Sequence, residues 1–541
     1  MNGLMMDLPL LLSGTIETAA AIYGSTEIVG RTMEGGLHRY TYAQACRRAK
    51  QLAQALIRLG VRDGDRVGSL AWNTTQHLEL FYGVPGVGAV LHTINPRLHE
   101  EDIAYIASHA NDEWICIDAA TIDIAERIAA RVPAVKGWIY MSTHQEPPKT
   151  RLHNLKSYEH LVASEDGDYQ WPSFDERRAS NMCYTSGTTG APKGVVYSHR
   201  STMLSALLMS LSDMIGGYRS GQLEVVMPIA PLFHANGWQM PYTAPLNGHK
   251  LVLPGRSFEP AQIFELMAAE KVTIAAAVPT IWLGLVDYMT REGRRLPSLR
   301  AALIAGTKAP RSLIDDLEQK FGVVCAQTWG MTEAPGVLRT TLSPGVAELS
   351  REEQMAPKLR QGRIGYGVQL RLVDDTGKVL PHDGEAIGNL EAKGHSVAAS
   401  YYRQPAAVRD GWLSTGDVAR IFPDGSVEIV DRSKDIIKSG GEWISSVALE
   451  NAALDHPGIQ QAAVIAIAHP RWQERPLLVA VRKPGASVSS EELIEHLGKV
   501  VAKWWLPDAV VFTGELPMTG TGKVQKQKLR ERFKDFSANA A

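Results

Sequence analysis

The sequence predicts an α/β fold: a large N-terminal domain of parallel-sheet subdomains, followed by a small α+β C-terminal domain. Three observations predict it. Short, near-continuous apolar runs alternate with helical ones through the middle of the chain, and strands buried on both faces mark a parallel sheet covered by helices. Two of those runs end in unusual residues, Gly306-Thr307-Lys308 and Thr328-Trp329-Gly330-Met331-Thr332-Glu333, where such sheets place their ligands. Beyond about Val430 the elements become shorter and mixed.

Taken in order, Leu204, Leu207, Leu208, Leu211 and Ile215 recur at helical spacing, with Ser201 near the start as a cap. The runs "LEVVMPIA", "VTIAAAVP" and "RAALIAG" read as strands, "APRSLIDDLEQKFG" as a helix and "VVCAQTWG" as the next strand. In the last part the pattern predicts a helix near Val447 to Leu454, strands "QAAVIAIA" and "PLLVAVRK", and a helix near Glu491 to Ala502. The segment Asp431 to Trp443 joins the two parts, which sets the expected domains at 1–430 and 431–541.

Bulk properties narrow the functional classes. At 541 residues the chain exceeds what one core organises. With 45% hydrophobic and 21% charged residues and a net charge of -2, it offers no polyanion-binding surface, so nucleic acid is not an expected partner. Cys46, Cys116, Cys183 and Cys325 stand far apart with no metal spacing, which predicts free, buried thiols in a reduced compartment. The opening "MNGLMMDLPLLLSG" has no preceding basic residue, and no apolar run of about 18 residues occurs. A cytoplasmic protein without an integral membrane segment is expected.

The stretch "CYTSGTTGAPKGVVYSH" carries the first chemistry. Glycines let backbone N–H groups turn inward, hydroxyls add donors and a lysine adds a point charge, so Thr185 to Lys193 has the makings of a phosphate cradle. It is not a Walker loop. The Gly-Lys pair at Gly522 is followed by Val524 and the one at Gly498 by Val500, where that motif needs serine or threonine.

Five further stretches accompany it: "APLFHANGW", "QTWGMTEAP", "STGDVA", "VDRSKDIIKSGGEWIS" and "LPMTGTGKVQK". With "YTSGTTGAPKGV", they closely resemble in wording and order the motifs of the adenylate-forming superfamily, which contains acyl-CoA synthetases, luciferases and the adenylation domains of peptide synthetases. The resemblance covers nearly the whole chain. It implies an enzyme that converts a carboxylic acid to an acyl-adenylate with release of pyrophosphate and then passes the acyl group to a thiol. ATP, Mg2+ and coenzyme A are the implied co-substrates and cofactor. No protein nucleophile is needed, because a carboxylate is already ionised at neutral pH, so catalysis comes from positioning and from electrostatic stabilisation of phosphoryl oxygens.

Residue roles follow from the same resemblance. Thr185, Ser186, Gly187, Thr188, Thr189 and Lys193 would hold the leaving phosphates, and Glu333 the magnesium ion. Gly306, Thr307, Gln327, Gly330 and Met331 would line the nucleotide site, with Trp329 stacked on adenine and Thr332 on the α-phosphate. Asp417 can accept both ribose hydroxyls and Arg432 can donate to the same sugar. Lys523 is the implied catalytic lysine, bridging the substrate carboxylate and the α-phosphate. His234 would lie between acyl pocket and phosphates, with Trp238, Val278 and Gly306 lining the pocket. Because Lys523 belongs to the small domain, that domain must dock for adenylation and move away for thioester formation, about a hinge at Lys434. Ser439, Gly440, Gly441, Glu442 and Trp443 would then line the tunnel for the pantetheine arm of coenzyme A.

"HTINPRL" at His92 to Leu98, with "FHANGW", is most similar to medium- and long-chain fatty-acyl-CoA synthetases; methylmercaptopropionate-CoA ligases share both stretches. Ligases of other short or aryl acids and amide-forming relatives are the alternatives, and a non-catalytic nucleotide-binding scaffold would have replaced Lys523 or Glu333. A homodimer is expected from the family. Lys308 departs from the family's small or acidic residue before "AP", so it either faces solvent or alters the nucleotide or acyl pocket.

Overall fold

A computed structural model describes residues 1, 3–144, 146–185, 191–211, 224–340, 342–440, 442–518, 523–534 and 536. Ser186, Gly187, Thr188, Thr189 and Gly441 lie outside the described residues.

Two seven-stranded sheets form the body. One runs Leu155–Ser157, Gly137–Met141, Asp112–Asp118, Arg66–Leu70, Val90–Ile94, Ala179–Thr185, with Lys193–Ser198 antiparallel at the edge. The other runs Val324–Gln327, Ala301–Ile304, Ile274–Ala277, Val225–Pro228, Lys250–Leu253, Glu27–Arg31, with Leu37–Thr41 antiparallel at its edge. Their central strands are apolar and buried on both faces, which is why the sequence runs looked continuous rather than alternating. The parallel-sheet expectation holds.

The sequence pattern missed a third, antiparallel sheet. It is built from Val368–Val373, Val379–Leu380, Gly388–Gly394, Val408–Arg409, Trp412–Ile421 and Val427–Arg432. Its strands are half exposed and polar on one face, so they left no continuous apolar signal. The C-terminal sheet takes Glu442–Ile444, Ile437–Ser439, Gln473–Arg482, Ile459–His469 and Ala509–Phe512, covered by helices Ser446–Leu454 and Ser490–Leu497.

Three elements differ from the sequence expectation. The helix expected around Leu204 begins at His199, where Ser198 is the N-cap and Ser201 its capping-box partner rather than the cap. Its buried residues are His199, Thr202, Met203, Ser205, Ala206 and Leu208, while Leu207 faces solvent, and it packs against the helix Met240–Leu246. The run after Ala309 forms a helix Arg311–Asp315 that widens into a π-turn over Asp316–Lys320. The last predicted helix stops at Leu497, where the chain passes into hydrogen-bonded turns through Val501. The four cysteines are free and buried, as their spacing indicated. Among the described residues no helix is long and apolar enough to cross a membrane.

Candidate active site

Ala301–Ile304 and Val324–Gln327 pair in parallel, so their carboxyl ends lie side by side, with Ile304 opposite Gln327. After the first strand the chain turns through Gly306, whose φ of +94° suits glycine alone. A Cβ built there would lie 3.0 Å from Val278 Cγ1 and 3.3 Å from Lys523 Cε. The missing side chain is therefore what admits the lysine. Lys523 comes from a segment 217 residues further along (523 - 306), so the small domain sits with its lysine inserted.

Around Lys523 the charges are arranged to match. Asp417, 2% exposed, accepts the Trp329 Nε1–H at 2.9 Å through Oδ2 and pairs with Arg432 Nε at 2.9 Å through Oδ1. Asp417 and Arg432 face each other across adjacent strands, their positions paired in register. Burial lifts the Asp417 carboxyl above the ordinary range, opposed by Arg432, Trp329 and Lys523. Burial, with repulsion from Arg432 and attraction from Asp417, brings the Lys523 ammonium down to about 8. His234 is held down at about 3 by burial and then by Lys523, so its imidazole is neutral at physiological pH.

The strands flanking the expected phosphate-holding segment pair antiparallel, with Thr185 opposite Lys193. Lys193 Nζ lies 4.8 Å above the ring of Tyr401, and the Tyr401 hydroxyl donates to Glu333 Oε1 at 2.7 Å. One tyrosine thus touches both the expected phosphate lysine and the expected metal carboxylate, a residue the sequence reading missed. Tyr197, also unforeseen, donates to the carbonyl of Thr332 at 2.5 Å and meets Cys183 Sγ at 3.2 Å. Both tyrosines stand in ordinary strand or loop contexts, with no local signal.

Gln327 serves the site through the backbone. Its Oε1 accepts the Ala309 N–H at 2.8 Å and its Nε2 donates to Lys358 O at 2.9 Å, which anchors the Gly306-Thr307 turn. Trp329 is buried among Val337, Leu338 and Leu372 and spends its N–H on Asp417. Thr332 and Glu333 form the tight turn closed between Met331 and Ala334, and Gly330 leads into it close to the Ala334 carbonyl.

Lys308 is turned away from bulk solvent, 17% exposed at its side chain. Its Nζ pairs with Glu428 Oε1 at 2.6 Å, tying the turn after Ile304 to the strand Val427–Arg432 that carries Arg432. Replacing Lys308 with alanine is expected to cost about 1–2 kcal/mol in urea unfolding, since the pair is mostly shielded. A loss of ATP affinity exceeding that figure, measured by calorimetry, would instead make Lys308 a nucleotide ligand.

The loop after Pro228 carries His234 and Trp238. Ala235, Asn236, Gly237, Trp238 and Gln239 all have positive φ, between 39° and 64°. A left-handed turn of this kind costs about 1–2 kcal/mol for each residue other than glycine, and such strain gathers at functional segments. Trp238 packs with Met209 against Val226, Ile274, Ala276 and Leu303.

The expected coenzyme A residues are not at this site. Ser439 accepts from Arg475 Nη1 at 3.3 Å, and Gly440, at φ +61°, donates its N–H to Trp472 O at 2.9 Å in a hairpin of the small domain. Trp443 lies beside Lys438 on the same hairpin, with Glu442 exposed. Near Lys434, Arg530 donates to the Lys434 carbonyl and pairs with Asp435.

Asp417 with Arg432 and Trp329, Lys523 against the Gly306 turn, and Lys193 linked through Tyr401 to Glu333 bring the residues of the expected site together from both parts of the chain, the arrangement of a two-lobed enzyme. The chain belongs to the AMP-binding enzyme family: that family's model matches residues 16–402, and the AMP-binding enzyme C-terminal domain matches 448–523. It is 45% identical over 543 residues to the long-chain-fatty-acid–CoA ligase of Thermus thermophilus, covering 99% of this chain and 98% of the relative. It is 44% identical over 539 residues to the 3-methylmercaptopropionyl-CoA ligase of Ruegeria lacuscaerulensis, covering 99% of each. Among solved structures, an anthranilate CoA ligase in complex with anthranoyl-AMP superposes with a TM-score of 0.86 at 26% identity, covering 99% of both chains.

Proposed function

We propose that the chain is an ATP-dependent acyl-CoA ligase acting on an unbranched apolar acid, with medium- to long-chain fatty acids favoured and 3-methylmercaptopropionate the alternative. The observation that carries this reading is Lys523 lying over Gly306, next to Asp417, Arg432 and His234. A cation at that point serves a reaction in which an acid carboxylate meets an α-phosphate. The relatives' names support the thioester product and both acid classes. The apolar side chains packed with Trp238 would suit an alkyl or thia-alkyl tail beside them.

In the first half-reaction a carboxylate oxygen of the acid bonds to the α-phosphorus, and the bond from that phosphorus to the bridging oxygen of pyrophosphate breaks. Lys523 holds the two anionic groups together while charge builds between them. Asp417 and Arg432 hold the ribose, and Trp329 lies beneath the adenine. Neutral His234 orients the acid without adding a competing charge. Lys193, with the hairpin it closes, holds the departing phosphates. In the second half-reaction the coenzyme A thiol, losing its proton, attacks the acyl carbonyl and AMP leaves. For this the domain from about 431 onward swings about Lys434, withdrawing Lys523 and bringing Ser439 to Trp443 to the site.

Glu333 fits magnesium: it is a single buried carboxylate fixed through Oε1 by Tyr401. Mg2+ takes one or two carboxylates plus phosphate oxygens rather than an all-protein cage. Bound by Glu333 and the phosphates of ATP, the ion would neutralise the developing phosphoryl charge. We carry the homodimer as a family expectation, checked by light scattering.

The deciding experiment is acid-dependent exchange of pyrophosphate into ATP over a panel from acetate to palmitate, with aryl acids and 3-methylmercaptopropionate, followed by thioester detection with coenzyme A. Cleavage of ATP to ADP, or silence with every acid, would overturn the reading; exchange without thioester would point to an amide-forming enzyme. Trp238→Ala is expected to shift the preferred chain length by at least two carbons on the same panel, about tenfold or more in relative kcat/KM.

A further inference from the structure

In the structure the stretch His92 to Leu98 lies against the His234 loop. Thr93, in the strand Val90–Ile94 and 2% exposed, donates its hydroxyl to Phe233 O at 3.1 Å and accepts the Asn236 Nδ2–H at 3.1 Å. Phe233 and Asn236 bracket His234. Four residues along, the Arg97 guanidinium lies 5.0 Å from the Trp72 ring centroid and 4.4 Å from that of Phe258, and Trp72 meets Phe233 edge-on at 5.6 Å.

The neighbouring segment has its own brace. Asn73 bonds to Pro228 O and Ala230 O and accepts from Leu232 N, so residues 228–232 are held independently of Thr93. The next residues are the ones in the left-handed conformation, 235–239. Alanine and tryptophan do not adopt it by preference. Bonds from outside must therefore hold it, and Thr93 supplies one to each side of His234. The Cys183 thiol, on the strand entering the phosphate hairpin, faces the N–H groups of Ala235 and Asn236 as a softer contact.

We propose that Thr93 is a positioning residue for acyl selectivity: its hydroxyl clamps Phe233 to Asn236 and so keeps the strained turn that aims His234 and Trp238. It follows that the two stretches "HTINPRL" and "FHANGW" are one device, a strand and the loop it clamps. The inference rests on the acyl-pocket reading of Trp238 given above.

The test compares wild type, Thr93→Val and Thr93→Ser for pyrophosphate release over straight-chain acids from butyrate to palmitate plus 3-methylmercaptopropionate. Thr93→Val keeps shape and removes both bonds; the rank order of kcat/KM among acids is expected to change, with at least one ratio moving about tenfold, and without a matching change in the KM for ATP. Thr93→Ser is expected to restore the wild-type order. A uniform loss across all acids, or an unchanged order, would overturn the assignment. Should Thr93→Val not fold, Asn236→Ala carries the test, since alanine lacks the amide and still resists the positive φ; the same reordering supports the clamp and its absence overturns it. If wild type releases no pyrophosphate with any acid, the ligase reading itself falls. Acid-dependent release in wild type with unmoved selectivity in the variants defeats the Thr93 clamp alone.

Discussion

Lys523→Ala is expected to lower acid-dependent pyrophosphate release roughly a thousandfold, close to abolishing it. The side chain reaches the Gly306 turn only because that residue has no Cβ, and its charge sits beside Asp417 and Arg432. Conversion of a preformed acyl-adenylate to the thioester should change by less than about threefold, because the proposed swing about Lys434 takes Lys523 away before the thiol attacks. Equal loss in both half-reactions, measured by single-turnover assays with synthetic acyl-AMP, would contradict the moving domain. The same residue sets a pH dependence. With an ammonium brought down to about 8, Lys523 is charged below that pH and neutral above it. kcat/KM for adenylation, which reports the free enzyme, should therefore fall as pH rises through about 8, while the thioester half-reaction keeps its activity there.

Asp417→Asn is expected to raise the KM for ATP by roughly a hundredfold while leaving the melting temperature unchanged or higher. The two effects have opposite origins. The carboxylate accepts from Trp329 and Arg432 and, as proposed, from the ribose, and asparagine can replace only part of that acceptance. In the folded protein, however, burial raises the Asp417 carboxyl above its ordinary range. A group raised in this way favours folding at low pH and loses that contribution as pH rises through its folded value, so at neutral pH its ionisation works against stability. Arg432 is 42% exposed at its side chain, and losing its partner leaves it hydrated. A clear drop in melting temperature alongside an unaltered KM would make Asp417 a structural ion pair instead.

Local order in the chain exposed much of this protein. The alternation of apolar runs between Val225 and Gln327 showed a parallel sheet, because strands buried on both faces must be apolar throughout. The exact starts of helices were less visible: Ser198 and Ser201 both satisfy a cap by type, and only the packed helix shows which is the N-cap. The antiparallel sheet around Trp412–Ile421 was not visible at all, since its half-exposed strands mix polar and apolar residues irregularly.

What the sequence determined by itself was the reaction class and the residue types that serve it. The segments proposed to hold phosphate, to hinge and to carry the lysine each occupy a few consecutive residues, because backbone geometry and side-chain chemistry there are local properties. Only the tertiary structure decided which groups act on one another. Tyr401 reaches Glu333 across 68 positions, Trp329 reaches Asp417 across 88 and Thr93 reaches Asn236 across 143. Lys308, which the chain leaves open, is directed to Glu428. Those pairings depend on how sheets pack and where strands end, and packing direction is a property of the assembled fold rather than of any short stretch of chain.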